Sequence, residues 1–232
     1  MSAPRGVALV TGAGSGIGRA VAKGLFARGF DLALLGRTEA TLEATAWDVL
    51  DGATAGRALA LRCDVSDPTQ VARASERVLA ELGVPRVVVH SAGVVVRAPV
   101  ETTTDAEWRS VLGVNLDGTF HVTRALLPAM RERGEGRFVA VASISSTLGT
   151  PRLSAYCAAK WGVVGFMKSL AEELRGTPLA AMSVLPGSVA TAMLEGSGFA
   201  PAMEPDDVAN TVLYAALDAP RAMSGSAIEI FG

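Results

Sequence analysis

The chain has 232 residues, half of them hydrophobic; that is enough for one large α/β domain burying roughly 70–75% of the surface its unfolded form exposes, with no need of a metal or disulfide staple. A net charge of −2 with scattered arginines excludes a basic stripe for nucleic acid and a polybasic membrane signal, and no apolar run approaches the ~20 residues a bilayer requires. Met1–Gly6 is too short for a signal peptide, and Cys63 and Cys157 lack metal-type spacing and read as free thiols, so a soluble protein of a reducing, cytoplasmic compartment is expected.

Short β-branched or aliphatic runs predict strands at Val7–Val10, Leu32–Leu35, Ala58–Leu61, Val87–Val89, Arg137–Val141, Ala180–Val184 and Ala227–Ile230. Helical patterns fall between them at Ile17–Arg28, Glu39–Leu50, Pro68–Glu81, Asp105–Arg133, Tyr156–Leu174 and Pro205–Leu217. Strict alternation with continuously apolar strands implies a doubly wound, parallel seven-stranded sheet with helices on both faces, of Rossmann type. No repeat, low-complexity tract or linker divides the chain, so residues 1–232 are expected to form a single domain.

The first predicted strand runs into Thr11-Gly12-Ala13-Gly14-Ser15-Gly16-Ile17-Gly18 and then a helix. Glycines let the backbone turn sharply and approach a pyrophosphate, whose charge meets amide groups at the helix N-terminus. The string is GxxxGxG rather than GxGxxG, and it lacks the Gly-Lys-Ser/Thr ending of an ATP loop. An ordinary flexible turn is the alternative. At the end of the second strand stand Gly36 and Arg37, where an NAD-binding chain places a carboxylate for the ribose 2′-hydroxyl. A guanidinium there takes a 2′-phosphate, so NADP(H) is expected, unless Arg37 is a solvated loop charge. Asp64-Val65, closing the third strand, is placed to bracket an adenine edge.

Tyr156 and Lys160 lie four residues apart, a spacing that puts both on one helix face. Of 21 Lys and Arg residues only three are Lys (Lys23, Lys160, Lys168), and only two Tyr occur, so a phenol beside a slender ammonium stands out as acid/base machinery. Taken alone, the pair also suits a helix whose Tyr packs and whose Lys snorkels.

Together, the TGAGSGIG turn, Asp64-Val65, His90-Ser91-Ala92-Gly93, Asn115, Ser143, Tyr156-x-x-x-Lys160 and Pro186-Gly187-Ser188-Val189-Ala190-Thr191 resemble the short-chain dehydrogenase/reductase family over nearly the whole chain, in its smaller single-domain branch. The resemblance implies that Tyr156 is the acid/base, that Lys160 is its electrostatic partner and ribose anchor, and that Ser143 holds the substrate oxygen. Ser143 lies 13 residues before Tyr156, the family's usual spacing, while Ser145 and Ser146 remain open. Asn115 matches the Asn that supports a water leading from Lys160 to solvent. The cofactor would lie against Gly12, Ser15, Gly16, Ile17 and Gly18, then Arg37, Asp64 and Val65. Ser91, Ala92 and Gly93, with Pro186, Gly187, Val189 and Thr191, would complete its site, and no metal is implied.

Where the family usually has Asn-Asn-Ala-Gly this chain has His90-Ser91-Ala92-Gly93; His90 would replace an Asn that ties neighbouring strands, and neither His90 nor His121 suits a catalytic base. A free Tyr is a sluggish acid at neutral pH, so Lys160 and an oxidised nicotinamide are expected to lower the pKa of Tyr156. The stretch from Thr191 to Met203 reads as an apolar lid near 190–205 in which Met193, Leu194, Phe199 and Met203 cover a small hydrophobic carbonyl or alcohol, or as plain core or subunit contact. The expected activity interconverts a ketone and a secondary alcohol. An NAD(H)-dependent dehydrogenase and a non-catalytic dinucleotide-binding regulator are the alternatives. Trp108, Leu112, Phe120, Trp161, Phe166 and Leu170 are apolar groups of the two long helical stretches, some of which must face the sheet, and the resemblance alone implies a homotetramer or dimer.

Overall fold

The apolar runs become strands β1 (Val7–Thr11), β2 (Asp31–Gly36), β3 (Ala58–Arg62), β4 (Pro85–His90), β5 (Gly136–Val141), β6 (Leu179–Pro186) and β7 (Ala227–Ile230). Between them lie helices α1 (Gly16–Ala27), α2 (Glu39–Leu50), α3 (Pro68–Glu81), α4 (Asp105–Leu112), α5 (Gly118–Arg133), α6 (Ser154–Glu173) and α7 (Pro205–Leu213). The structure is a computed structural model that describes residues 6–53 and 55–232. Residues 1–5, read above as part of a leader too short for secretion, lie outside the described residues.

All strand pairs are parallel, in the order β3-β2-β1-β4-β5-β6-β7. Every residue of β1 and β6 is buried, which explains their largely apolar runs, in which Thr11 and Ser183 are the polar residues: a strand covered on both faces has little room for polar groups. Side chains alternate between two cores. Ala8 and Val10 face the core completed by Val21 and Leu25 of α1 and Val208 and Val212 of α7. Val7 and Leu9 face the one completed by Val78 of α3, Met130 of α5 and Met167 of α6. Among the described residues no helix is long and apolar enough to cross a membrane.

Two departures from the sequence reading bear on function. The stretch Asp105–Arg133 is not one regular helix: α4 and α5 are joined by a wide, π-helical turn at Gly113–Asp117, and such bulges gather at functional sites. The last helix likewise ends at Leu213 and continues as a π-helical turn, Tyr214–Asp218.

β1 sits where the strand order reverses, with β2 on one side and β4 on the other. Thr11 pairs with His90 at the carboxyl ends of β1 and β4, and beyond that point the chains leave for opposite faces of the sheet. A crevice opens there, the usual ligand position of an open α/β sheet.

Candidate active site

The glycine turn lies in that crevice. Gly12 (φ 67°) and Gly16 (φ 47°) occupy the left-handed region. A Cβ on Gly12 would come within 2.8 Å of Ser91 O, and one on Gly18 would lie 2.2 Å from Gly12 O, so backbone passes where any side chain would stand. Arg19 braces the turn by donating from Nη2 to Gly14 O (2.7 Å) and from Nε to Thr45 Oγ1 (3.1 Å), while the Thr45 hydroxyl lies 3.0 Å from Ala13 O. Across the crevice, Ser91 N and Ala92 N both donate to Thr11 Oγ1 at 3.1 Å. Sequence reasoning missed Thr11, Arg19 and Thr45, although the position of Thr11 at the end of β1 is a signal for a tie between strand ends.

Two hollows meet at Gly12, Ser15 and Gly93. The smaller, about 170 Å³, is lined by Arg37, Thr38, Thr41, Asp64, Val65 and Ala92, among others. Arg37 is exposed and, among the described residues, has no ion-pair or hydrogen-bond partner. Asp64 is tied down, its Oδ1 accepting from Ser66 N (2.9 Å) and Ser66 Oγ (2.7 Å). The larger hollow, about 850 Å³, holds Gly16, Ile17, Gly18, Ser91, Ser143, Tyr156 and Lys160 and is closed by Pro186, Gly187, Val189 and Thr191. The predicted binding residues are thus brought together, in two lobes joined at the glycine turn. A dinucleotide fits this set: amide groups at the start of α1 for a pyrophosphate, and a lobe at each end for its two halves.

On the wall of the larger lobe, Tyr156 and Lys160 emerge from α6, both buried. Lys160 Nζ donates to Val141 O (2.8 Å) and lies 5.7 Å from the Tyr156 ring centroid. Burial lowers Lys160 from the usual 10.5 to about 8, still mostly ammonium at neutral pH. Burial pushes the Tyr156 phenol up to about 12; hydrogen bonding by Ser143 and the charge of Arg97 pull it down, and the nearby Cys157 adds to the rise. The protein's own groups therefore move the phenol upward, opposite to the direction expected of Lys160 acting together with an oxidised nicotinamide. Desolvation is the largest cause, and the ammonium of Lys160 is engaged by a backbone carbonyl.

The three candidate serines separate by position. Ser143, in extended backbone just after β5, accepts from Ser145 N (3.1 Å) and faces the cavity beside Tyr156. Ser145 lines the cavity too, whereas Ser146 Oγ turns away and donates to Lys160 O (3.0 Å). Asn115 stands inside the π-helical turn, its Nδ2 donating to Val94 O (2.9 Å) and Val111 O (2.8 Å). Its buried Oδ1 has no partner among the described residues. That oxygen and Lys160 Nζ flank one spot, 2.8 and 3.8 Å from where a Cβ of Gly93 would be.

His90 does not tie strands. It is buried, stacks on Phe138 and places Nε2 3.1 Å from Thr123 Oγ1 of α5; the tie between strand ends belongs to Thr11. Of the residues read as an apolar lid, Met193, Leu194 and Phe199 line the cavity. Met203 is corrected: it is buried in the core and pairs at the backbone with Val189, closing the base of the loop. Its long apolar side chain gives no sequence clue to which way it turns.

The family model for short chain dehydrogenases matches residues 6–199. D-threitol dehydrogenase of Mycolicibacterium smegmatis is 34% identical over 239 aligned residues, 97% of this chain and 91% of that protein. The 3-oxoacyl-(acyl-carrier-protein) reductase of Escherichia coli is 35% identical over 187 residues, 81% of this chain and 75% of that one. The crystal structure of levodione reductase superposes with a TM-score of 0.92 at 30% identity, covering 99% of this chain and 97% of that chain. With its parallel seven-stranded sheet and a glycine turn at the switch point, the chain belongs to the short-chain dehydrogenase/reductase family of oxidoreductases, which act on carbonyls and alcohols with nicotinamide dinucleotides.

Proposed function

We propose that this oxidoreductase uses NADP(H) to interconvert a ketone and a secondary alcohol, with Tyr156 as acid/base, Lys160 and Ser143 at its side and Asn115 behind them. The observation that carries this reading is that Ser143, Tyr156 and Lys160 line one cavity with the glycine turn. When bound, the nicotinamide supplies or accepts the hydride and, oxidised, brings a positive charge to the cavity. In the reducing direction Tyr156 Oη gives its proton to the carbonyl oxygen as the alcohol forms, while Ser143 Oγ donates a hydrogen bond to that oxygen. Preplaced donors meet the developing charge without reorganising. Lys160 holds an ammonium beside the phenol and offers its remaining N–H groups to a ribose hydroxyl. Asn115 Oδ1, facing the same spot as Lys160 Nζ, supports a water that returns the proton from solvent.

The choice of NADP(H) rests on Arg37, a guanidinium without a partner among the described residues that lines the smaller lobe. Wild type is expected to show kcat/KM at least about tenfold higher with NADPH than with NADH, and Arg37→Asp to reverse the preference, because a carboxylate repels the 2′-phosphate. Steady-state kinetics with both nucleotides checks this. Equal use of the two by wild type would defeat it.

The same reading places the protein in the cytoplasm, where its free cysteines stay reduced, and as a homo-oligomer, dimer or tetramer. Trp108, Phe120 and Trp161 are all at least 40% exposed on the face formed by α4, α5 and α6, and apolar area of that kind favours a second copy. Sedimentation equilibrium is expected to give a dimer or tetramer, with Trp161→Glu shifting it toward monomer. A wild-type monomer at micromolar concentration would contradict it.

A further inference from the structure

Two arginines stand in the catalytic cavity, and no acid answers them. Arg97, in the segment after β4, and Arg152, in the loop before α6, line the 850 Å³ hollow with Lys160, while among the described residues no Asp or Glu lines it. The two segments are joined at the backbone, Ala98 N donating to Arg152 O at 3.0 Å, so the side chains start from neighbouring points. Arg152 has φ 65°, the one non-glycine residue in the left-handed region among the described residues. L-residues hold that conformation when their surroundings impose it.

Most of the donors on both side chains are uncommitted. A guanidinium carries five N–H groups; Arg97 uses Nη2 on Met193 O (2.6 Å), and Arg152 makes one long contact, Nη2 to Arg97 O at 3.5 Å. Neither has a carboxylate partner among the described residues. Met193 links this end of the cavity to the chemistry, because its sulfur lies 4.0 Å from Tyr156 Oη while its carbonyl holds Arg97. Val95, Leu148, Leu153, Leu194 and Phe199 give the same cavity an apolar wall, beside the hydroxyls of Thr150 and Ser197.

Resting on the carbonyl/alcohol reading above, we infer that the substrate is an aliphatic oxo compound or alcohol bearing an anionic group, carboxylate or phosphate, which Arg97 and Arg152 hold while its chain lies along the apolar wall. Guanidinium forks bind such groups bidentately, and a site whose donors would be left unpaired rejects the neutral analogue. The anion also fixes how far along the chain the reacting carbon sits, which makes these two residues determinants of specificity rather than of the chemical step.

Isothermal titration into enzyme saturated with NADPH, with hexanoate, hexyl phosphate and hexanamide, tests the anion site without turnover. One anion is expected to bind at least about tenfold tighter than hexanamide, and the tighter anion names the source. Arg97→Leu/Arg152→Leu should abolish that margin while leaving hexanamide binding unchanged. If the double variant does not fold, Arg152→Leu alone, at an exposed loop position, should shrink the margin. Equal binding of all three by wild type, or a margin that survives in the variants, would overturn the inference. Turnover of 4-oxopentanoate against its methyl ester separates the two readings. Preference for the acid that vanishes in the variant supports both. Anion-selective binding with no turnover of either compound sinks the carbonyl reading and leaves the anion site standing.

Discussion

Replacing Tyr156 by Phe is expected to lower kcat by about 10²–10⁴-fold, the usual worth of a positioned acid/base, with NADPH affinity changed by no more than about twofold. The phenol faces the cavity beside Ser143, and its ring sits 5.7 Å from Lys160 Nζ. Phe keeps the ring and its packing and removes the proton that the proposed mechanism transfers to the substrate oxygen. Stopped-flow turnover and a fluorescence titration of NADPH check the two halves separately. Near wild-type turnover would remove Tyr156 from the mechanism, while a parallel loss of NADPH binding would make its role structural. Because the protein, chiefly through burial, pushes the phenol up to about 12, the pH profile of alcohol oxidation should change on NADP⁺ binding. The added positive charge favours the phenolate, so the apparent pKa is expected to fall in the complex.

A second large effect is expected in acid, through His90. Its ring is fully enclosed, stacked on Phe138 with centroids 6.2 Å apart, and burial pushes its pKa from 6.5 down to about 3. The unfolded chain takes up this proton as pH falls through 6.5, whereas the folded chain resists until about 3. Stability tied to His90 is therefore intact above pH 6.5 and drains away below it, by roughly 5 kcal/mol once both forms are protonated. His90→Asn keeps a polar group for Thr123 and removes the titration. Urea unfolding at neutral pH and near pH 4.5 should show the variant losing about 2–3 kcal/mol less than wild type over that interval. Equal losses would show that His90 is not held neutral by burial.

The parts of this protein that were legible in the sequence are those that depend on short-range pattern. Largely apolar runs such as Val7–Thr11 and Leu179–Pro186 mark strands covered on both faces, and glycines directly after a strand mark a turn that side chains would block. The four-residue spacing of Tyr156 and Lys160 survives folding because helix geometry is fixed. What was hidden depends on contacts between distant segments. The π-helical turn around Asn115 differs from a regular helix by one hydrogen-bond step, and no residue announces it. His90 looked like a strand tie, but its ring reaches Thr123, 33 residues away, and Thr11 makes the tie. The rise in the Tyr156 pKa could not be read from its neighbour in sequence, since desolvation is set by everything that packs over the phenol. Arg97 and Arg152 are unremarkable among the arginines until two loops bring them to one wall.

The most direct test of the proposed chemistry is isotope tracing. NADPH deuterated at the transferable C4 position would be incubated with the enzyme and a panel of aliphatic ketones and oxo-acids, and the products examined by mass spectrometry. Deuterium on the carbinol carbon, with label transfer abolished in Tyr156→Phe, is the expected result. Alcohol formed with hydrogen from solvent at that carbon, or no labelled product from any panel member while NADPH binds normally, would contradict hydride transfer beside Tyr156.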